Sequence, residues 1–175
     1  MNKSKIKLIV LDVDGVLTDG KLFIGSDGVE YKSFHVKDGM GISLARYYGM
    51  KVALITGRKS EAVNIRSKEL HVDFLYEGTT NKEKALDEIM TALHITSENV
   101  FYMGDDINDL SVIKFVGFSA APKDAVEMVK RSADFVSNFA GGHGAVREAI
   151  DVVLSRQVDY DSLIENYLSR KKTQQ

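Results

Sequence analysis

The sequence predicts a doubly wound α/β fold, in which helices cover both faces of a parallel sheet. Short apolar runs alternate with amphipathic stretches along most of the 175 residues, an order typical of strands joined by crossover helices. Hydrophobic residues make up 44% of the chain and charged residues 27%, which suits one globular core rather than a disordered chain. Asp, Thr and Gly follow several of the apolar runs, where strands of such a fold end.

Six apolar runs are predicted as strands, and the amphipathic stretches as helices. The strands lie at residues 6–12, 51–56, 72–76, 100–104, 116–119 and 134–136. The helices lie at residues 39–48, 60–70, 81–93, 107–115, 123–131 and 144–155. Because strands and helices alternate, we expect the strands to be parallel.

Two segments interrupt this alternation. Residues 20–34 are predicted as a β-hairpin around a Gly-Ser-Asp-Gly turn, protruding directly after the first strand. Residues 157–175 carry scattered apolar side chains and are predicted as a helical tail. We therefore expect a single domain over residues 1–156, hairpin included, followed by this tail.

Composition excludes several kinds of site and partner. The chain has no cysteine, so disulfides, Cys-ligated metals and Cys nucleophiles are ruled out. The formal net charge of −2 disfavours nucleic acid and anionic membranes as partners. The apolar run from Ile6 to Leu11 is interrupted by Lys7 and is too short for a signal peptide or a membrane span. We expect a soluble, cytoplasmic protein.

Carboxylates cluster at the ends of the first and fourth predicted strands. Asp12 and Asp14 follow the first strand, and Asp105, Asp106 and Asp109 follow the fourth. A strand order of 3-2-1-4-5 makes these ends neighbours, at the edge where open parallel sheets bind ligands. Aspartates also mark ordinary turns, but two charges about 4 Å apart repel by roughly 4 kcal/mol at an effective dielectric near 20. A cation removes this penalty, and oxygen ligands favour Mg²⁺ over Ca²⁺.

A carboxylate beside Mg²⁺ suits phosphoryl transfer, because the metal offsets the repulsion between the carboxylate and an anionic phosphate. Lys82 is the candidate for the balancing positive charge. It stands at a predicted helix start, where Thr80 and Glu83 match a capping box. The partly positive helix end would add to its charge. Taken alone, Lys82 would be interpreted as a solvated helix lysine.

Four motifs in order resemble those of the haloacid dehalogenase-like phosphatases, over roughly residues 6–155. They are Asp12-Val-Asp14-Gly-Val, Thr56-Gly57, Lys82 and Gly104-Asp-Asp-Ile-Asn-Asp109. The resemblance implies hydrolysis in two steps through an aspartyl-phosphate. It implies Asp12 as the nucleophile, Asp14 as general acid and then base, and Thr56 and Lys82 as ligands of the phosphate.

The same resemblance implies the metal site. Asp105 would bind Mg²⁺ together with Asp12 and the backbone carbonyl of Asp14. Asp106 and Asp109 would support the metal or orient Lys82. Many relatives carry a cap domain between these motifs, but here 43 residues separate Asp12 from Thr56 and 25 separate Thr56 from Lys82. The hairpin, two helices and one strand fill these intervals, so we expect a capless enzyme.

Within the capless branch, the sequence is similar to the 3-deoxy-D-manno-octulosonate 8-phosphate phosphatases. The matching stretches are residues 12–20, 34–42, 56–60 with Arg66, and 141–148. In that family four subunits assemble, and hairpins help to cover a neighbour's site. The resemblance therefore implies a homotetramer, with Leu22, Phe23 and Ile24 as contact residues, although these could instead pack within their own chain.

Arginines are the candidates for substrate specificity, because guanidinium binds the carboxylate of a sugar acid through two parallel hydrogen bonds. Arg58 and Arg66 are the first choices, and related nine-carbon phosphatases tend to carry Glu at the position of Arg58. Lys37, Asp38 and Arg147 are further candidates.

Each of these residues also has a plainer interpretation. Arg58 and Arg66 could be surface charges, and Asp38 could cap the helix predicted at 39–48. Arg147 could pair with Glu148 or Asp151. His143 is interpreted as a loop histidine rather than a metal ligand.

The leading interpretation is an Mg²⁺-dependent phosphatase that releases phosphate from 3-deoxy-D-manno-octulosonate 8-phosphate, on the route to bacterial lipopolysaccharide. One alternative is a phosphatase of a nine-carbon, sialic-acid-type sugar phosphate. Another is a non-catalytic tetramerisation module of the same fold, which the complete motif set disfavours. A phospho-accepting signalling domain is also disfavoured. In such a domain the acidic pair and the phosphorylated Asp lie on different strands, whereas Asp12 and Asp14 here follow the same strand.

Overall fold

A computed structural model describes residues 5–172 of the chain. Its strands are β1 (Leu8–Leu11), β2 (Phe23–Ile24), β3 (Glu30–Tyr31), β4 (Lys51–Thr56), β5 (Phe74–Glu77), β6 (Val100–Met103), β7 (Phe118–Ala121) and β8 (Phe135–Val136). Its α-helices are α1 (Val36–Tyr47), α2 (Glu61–Glu69), α3 (Lys82–Leu93), α4 (Leu110–Phe115), α5 (Glu127–Ser132), α6 (Ala145–Ser155) and α7 (Tyr160–Lys172).

Six of the strands form one parallel sheet in the order β5-β4-β1-β6-β7-β8. β1 lies in the middle, and its last residue, Leu11, pairs with Leu54 on one side and Met103 on the other. This confirms the predicted doubly wound fold and the adjacency of the first and fourth predicted strands. The carboxyl ends of β1, β4 and β6 consequently meet at one edge of the sheet.

The core lies on both faces of this sheet. Ile9 and Leu11 of β1 pack into one apolar cluster with α1 and α6, and Leu8 and Val10 pack into a second with α3, α4 and α5. Successive residues of a strand point to opposite faces, so a strand covered on both sides is apolar throughout. This explains why each residue of β1, from Leu8 to Leu11, is apolar and buried.

Several helix boundaries differ from the prediction. The helix predicted at 107–115 begins as a 3₁₀ turn over Ile107–Asp109 before α4, and the helix predicted from residue 123 begins at Glu127. α1 begins at residue 36 and includes two glycines. A Cβ on Gly41 would lie 3.2 Å from the backbone of Arg147, so this glycine allows α1 and α6 to pack closely.

The protruding hairpin is confirmed. β2 and β3 form their own antiparallel pair, closed by a turn in which Gly25 N donates to Val29 O at 2.8 Å. Phe23 and Ile24 are 61% and 64% exposed, so they do not pack within their own chain.

The predicted tail is helical where the structure describes it. α7 packs against α1, where the rings of Tyr47 and Tyr167 make an edge-to-face contact at 5.2 Å between centroids. Residues 173–175 of the predicted tail lie outside the described residues. Among residues 5–172, none of the helices has the length and apolar character needed to traverse a bilayer.

Candidate active site

The polar residues at the carboxyl ends of β1 and β6 come together around two glycines. Asp12 directly follows β1, and Asp105 follows β6 after Gly104. A Cβ on Gly15 would lie 2.0 Å from Asp105 Oδ2, and one on Gly104 would lie 2.5 Å from the carboxylate of Asp109. Glycine at these two positions therefore lets the two loops approach and their carboxylates converge.

Three carboxylates form one cluster at this edge. Ligand oxygens of Asp12, Asp105 and Asp109 all lie within 4.8 Å of one another. Burial raises the pKa of Asp12 to about 6, with a further contribution from Asp109, while Lys82 opposes the rise. Burial and the neighbouring Asp12 raise the pKa of Asp105 to about 7. The cluster is therefore a site where negative charge is concentrated and poorly hydrated.

Asp109 is the structural centre of the cluster, because each of its oxygens already accepts two hydrogen bonds. Oδ1 accepts from Lys82 Nζ at 2.6 Å and from the Tyr102 hydroxyl. Oδ2 accepts from the backbone N–H groups of Asp105 at 2.9 Å and Asp106 at 3.2 Å. A carboxylate offers about four lone-pair positions, so Asp109 organises the loop, and Asp12 and Asp105 are left to face a ligand.

Tyr102 was missed by sequence reasoning. It lies within β6 and its side chain is fully buried. A buried tyrosine hydroxyl needs a partner, and a lone tyrosine inside an apolar strand that leads to a carboxylate loop is the signal that would have identified it.

Lys82 joins the cluster from the first turn of α3. Its ammonium lies 2.9 Å from Asp12 Oδ1 and 2.6 Å from Asp109 Oδ1, and the side chain is buried. Burial alone would lower the pKa of Lys82, but the carboxylates of Asp12 and Asp109 raise it above its ordinary value. The solvated-lysine interpretation is therefore wrong.

The predicted capping box at the start of α3 is also wrong. Asn81 is the N-cap, and its side chain accepts a hydrogen bond from Lys84 N at 2.9 Å. The helix starts at Lys82, directly after this cap, so a box of Thr80 and Glu83 would be out of register.

Asp14 belongs to a second group of charges, beside the cluster. Its Oδ1 forms an ion pair with Lys32, and its Oδ2 lies 3.9 Å from Arg58 Nε. Glu30 connects the two cations, since it accepts from Arg58 Nη2 at 2.6 Å and lies 3.2 Å from Lys32 Nζ. Sequence reasoning missed Glu30 and Lys32. Side chains at alternate positions of a strand share one face. The spacing of Glu30 and Lys32 could therefore have identified a pair of opposite charges on one face of the hairpin.

Thr56 ends β4 at the same edge of the sheet. Its side chain is buried, and Oγ1 accepts a hydrogen bond from the backbone N–H of Arg58 at 3.4 Å. This contact fixes the turn that carries Arg58 toward Asp14.

Asp38 and Arg147 connect helices. Asp38 is buried, and its Oδ1 accepts from Arg147 N at 2.8 Å, so it caps the amino end of α6 rather than its own helix. Burial raises the pKa of Asp38.

The Arg147 guanidinium donates to both oxygens of Asp151, at 2.9 and 2.7 Å, and to Tyr160 OH at 3.3 Å. The predicted pairing of Arg147 with Asp151 is confirmed.

The remaining predicted residues lie at the surface or on helix α2. Arg66 donates to Glu69 at 3.0 Å, and its guanidinium carbon lies 5.8 Å from the centre of the Phe34 ring. Asp106 accepts from Ile107 N at 2.7 Å and caps the 3₁₀ turn. Lys37 and His143 are exposed.

Comparisons with known proteins show the family of this chain. A sequence profile of the haloacid dehalogenase-like hydrolase family matches residues 57–150. The protein "3-deoxy-D-manno-octulosonate 8-phosphate phosphatase KdsC" of Escherichia coli strain K12 is 45% identical over 156 residues, which cover 89% of this chain and 83% of that protein.

Solved structures extend the likeness to the fold. The 3-deoxy-D-manno-octulosonate 8-phosphate phosphatase from Moraxella catarrhalis, in complex with a magnesium ion, a phosphate ion and KDO, has a TM-score of 0.90 at 36% identity over 93% of both chains. The cobalt-bound deoxy-D-mannose-octulosonate 8-phosphate phosphatase from Haemophilus influenzae has a TM-score of 0.84 at 39% identity, over 87% of this chain and 90% of that one.

Proposed function

The chain belongs to the haloacid dehalogenase-like hydrolases, and we propose that it is the Mg²⁺-dependent phosphatase of 3-deoxy-D-manno-octulosonate 8-phosphate. The products are the free sugar acid and inorganic phosphate. The observation that carries this proposal is the convergence of Asp12, Asp105 and Lys82 at one edge of the sheet. The identity to KdsC over most of both proteins supports the substrate. The resemblance to these phosphatases further implies a place in making the sugar acid of lipopolysaccharide.

The residues of the cluster fit a magnesium ion. Asp12 and Asp105 offer carboxylate oxygens, the ligand type that Mg²⁺ prefers. Burial, with a smaller contribution from the neighbouring carboxylates, raises the pKa values of Asp12 and Asp105, and a bound cation would favour their charged forms. We assign Asp12, Asp105 and the backbone carbonyl of Asp14 as ligands, with Asp106 and Asp109 supporting the loop that carries Asp105. When bound, the ion neutralises charge on the phosphate and on Asp12.

Asp12 is the proposed nucleophile. A carboxylate oxygen of Asp12 forms a bond to phosphorus while the bond between phosphorus and the sugar oxygen breaks. Lys82 lies 2.9 Å from the same carboxylate, so its charge is placed for the transferring phosphate. Thr56, at the neighbouring strand end, is the proposed hydroxyl donor to that phosphate.

Asp14 is the proposed general acid and base. It donates a proton to the leaving sugar oxygen, which produces the free sugar acid. As a carboxylate it then takes a proton from the water that attacks the phosphorus of the aspartyl-phosphate. The bond between phosphorus and Asp12 breaks, phosphate is released and both carboxyl groups return to their starting states.

Arg58 is the proposed specificity residue. It lies 3.9 Å from Asp14, close to where the leaving sugar departs, and half of its side chain is exposed. A guanidinium in this place can bind the carboxylate of a sugar acid. Arg66, Lys37, Asp38 and Arg147 stay predictions for substrate binding.

We also propose how the enzyme is organised. Residues 1–156 form the phosphatase domain and residues 157–175 a helical tail, and four chains assemble through the exposed hairpins. A neighbour's hairpin would exclude water from a site that has no cap. We propose that the enzyme is cytoplasmic, and its formal net charge of −2 disfavours nucleic acid and anionic membranes as partners.

Phosphate release tests the function. It is measured with and without Mg²⁺ on the eight-carbon sugar-acid phosphate, a nine-carbon sialic-acid-type phosphate and simple sugar phosphates, with Asp12→Asn as the control. We expect Mg²⁺-dependent turnover that prefers the eight-carbon compound and is lost in Asp12→Asn. Preference for the nine-carbon compound would overturn the substrate, and a folded protein without turnover would overturn the enzyme assignment.

A further inference from the structure

The hairpin carries a buried cation, Lys32, directly after β3. The side chain of Lys32 is only 1% exposed, whereas those of Phe23 and Ile24 on the same hairpin are mostly exposed. The Lys32 ammonium pairs with Asp14 Oδ1 and lies 3.2 Å from Glu30 Oε1. Lysine is almost never fully buried unless it is paired, so these two carboxylates account for its burial.

Asp14 lies between two cations that come from different elements. Lys32 contacts its Oδ1 from the hairpin, and Arg58 approaches its Oδ2 from the loop after β4. Lys32 is the closer and better buried of the two partners, since the Arg58 side chain is 49% exposed. Arg58 is also the residue that we expect the substrate carboxylate to engage. Lys32 is therefore the partner that can hold Asp14 throughout turnover.

We infer that Lys32 is a positioning residue, which holds the Asp14 carboxyl for proton transfer. The inference rests on the proposed function, in which Asp14 is the general acid. A general acid works only within hydrogen-bond reach of the leaving oxygen, and a small misplacement lowers the rate strongly. Asp14 lies on a loop beyond the end of β1, and its side chain is 22% exposed. The strand alone therefore does not fix the position of its carboxyl group.

The leaving group gives a way to isolate this role. When a sugar phosphate reacts, the phosphorus–oxygen bond to the sugar breaks and the proton of Asp14 moves to the departing alkoxide. When p-nitrophenyl phosphate reacts, the same bond breaks, but p-nitrophenolate leaves without needing a proton. A residue that positions Asp14 therefore matters for the first ester and little for the second. A residue that only binds phosphate or maintains the fold affects both equally.

The experiment compares kcat/KM for the two esters, because this ratio reports the steps up to phosphoryl transfer. Lys32→Met keeps an unbranched side chain of nearly the same length and removes its charge. We expect this variant to lower kcat/KM for the sugar phosphate by at least about tenfold, which is a part of what general acid catalysis supplies. We expect kcat/KM for p-nitrophenyl phosphate to fall by less than about threefold, because this ester does not need the proton. Lys32→Arg should restore most of the loss.

Lys21→Met is the matched control. Lys21 lies on the same hairpin, but its side chain is 71% exposed and pairs with Asp19. We expect this variant to leave both kcat/KM values unchanged. A selective loss in Lys21→Met would mean that any charge on the hairpin matters, and it would overturn a specific role for Lys32.

Asp14→Asn separates this inference from the proposed function. A selective loss in Asp14→Asn with an equal loss on both esters in Lys32→Met overturns the inference and leaves the function standing. No selective loss in Asp14→Asn overturns the role of Asp14 and the inference with it. The double variant Lys32→Met/Asp14→Asn should have a kcat/KM for the sugar phosphate no lower than that of Asp14→Asn alone. A further loss in the double variant, adding to that of Asp14→Asn, would contradict positioning.

Circular dichroism checks that each variant folds. Lys32→Gln replaces Lys32→Met if the latter does not fold.

Discussion

The ammonium nitrogen of Lys82 lies 2.9 Å from Oδ1 of Asp12, although Lys82 begins α3 and Asp12 follows β1. This pair is buried, and Asp109 holds the lysine from the other side at 2.6 Å. A buried ion pair is maintained only where both charges find partners. The contact therefore ties the start of a helix to the carboxylate that we propose as nucleophile.

Removing the lysine should destabilise the protein as well as inactivate it. Lys82→Met leaves Asp12 and Asp109 buried without their cation, and we expect the free energy of unfolding to fall by about 3–5 kcal/mol. Denaturant unfolding measures this. Lys84→Met, on the exposed face of the same helix, is the control and should change little. A Lys82→Met protein as stable as the parent would refute the buried ion-pair network.

Magnesium binding should weaken as the pH falls. The pKa values of Asp12, about 6, and Asp105, about 7, lie above the ordinary 3.8, so below neutral pH the metal must displace protons. Each displaced proton weakens apparent Mg²⁺ affinity by about tenfold per pH unit below its pKa. Calorimetric titration across this range checks the slope. Affinity that does not change between about pH 8 and about pH 5.5 would contradict protonation of these carboxyls.

The same two carboxyls should make the stability of the metal-free protein depend on pH. Because their folded-state pKa values are raised, their contribution to stability is present at low pH and is lost as the pH rises through about 6 and then about 7. Mg²⁺ should therefore raise the melting temperature more at about pH 8 than at about pH 5.5. Asp105→Asn should reduce that difference, and melting curves with Mg²⁺ or with a chelator measure it.

Arg58 should govern the affinity for the sugar acid. Arg58→Ala removes a charged hydrogen-bond donor, and we expect KM for the eight-carbon sugar-acid phosphate to rise about 10–100-fold. A sugar phosphate without a carboxylate should be affected less. Lys59→Ala, at the exposed neighbouring position, is the control. Equal changes on both substrates would remove the proposed carboxylate contact.

Asp38 should stabilise α6. Asp38→Ala removes the side chain that accepts from Arg147 N, and loss of a helix cap lowers the free energy of unfolding by about 0.5–2 kcal/mol. Denaturant unfolding measures the loss, and unchanged stability would contradict the cap. KM measured on the same variant decides whether Asp38 also binds substrate.

The hairpin should hold the assembly together. Phe23 and Ile24 are exposed in the single chain, so replacing both by Ser should leave the fold intact and shift the tetramer to smaller species. Light scattering after size-exclusion chromatography measures the mass. Ile65→Ser, at a half-exposed apolar residue on α2, is the control. A tetramer that survives the double change, or a monomeric parent protein, would rule out this interface.

The sheet, its helices and the location of the site could be predicted from the amino-acid sequence. Apolar runs report strands buried on both faces, and the aspartates after β1 and β6 identify the edge because parallel strands end together. Asp12, Asp14, Thr56, Lys82 and Asp105 could be identified because each stands at the end of a strand or the start of a helix.

Which charged side chains meet depends on tertiary packing and could not be predicted from the sequence. Lys82 is buried against Asp12, Asp38 caps a helix distant in sequence, and Lys32 reaches Asp14 from the hairpin. Sequence spacing reports which face of an element a residue shares, but not which side chain of another element arrives there. Such contacts depend on how elements pack across the sheet, so lysines that look alike in sequence can be a solvated surface charge, as for Lys21, or a buried partner, as for Lys32.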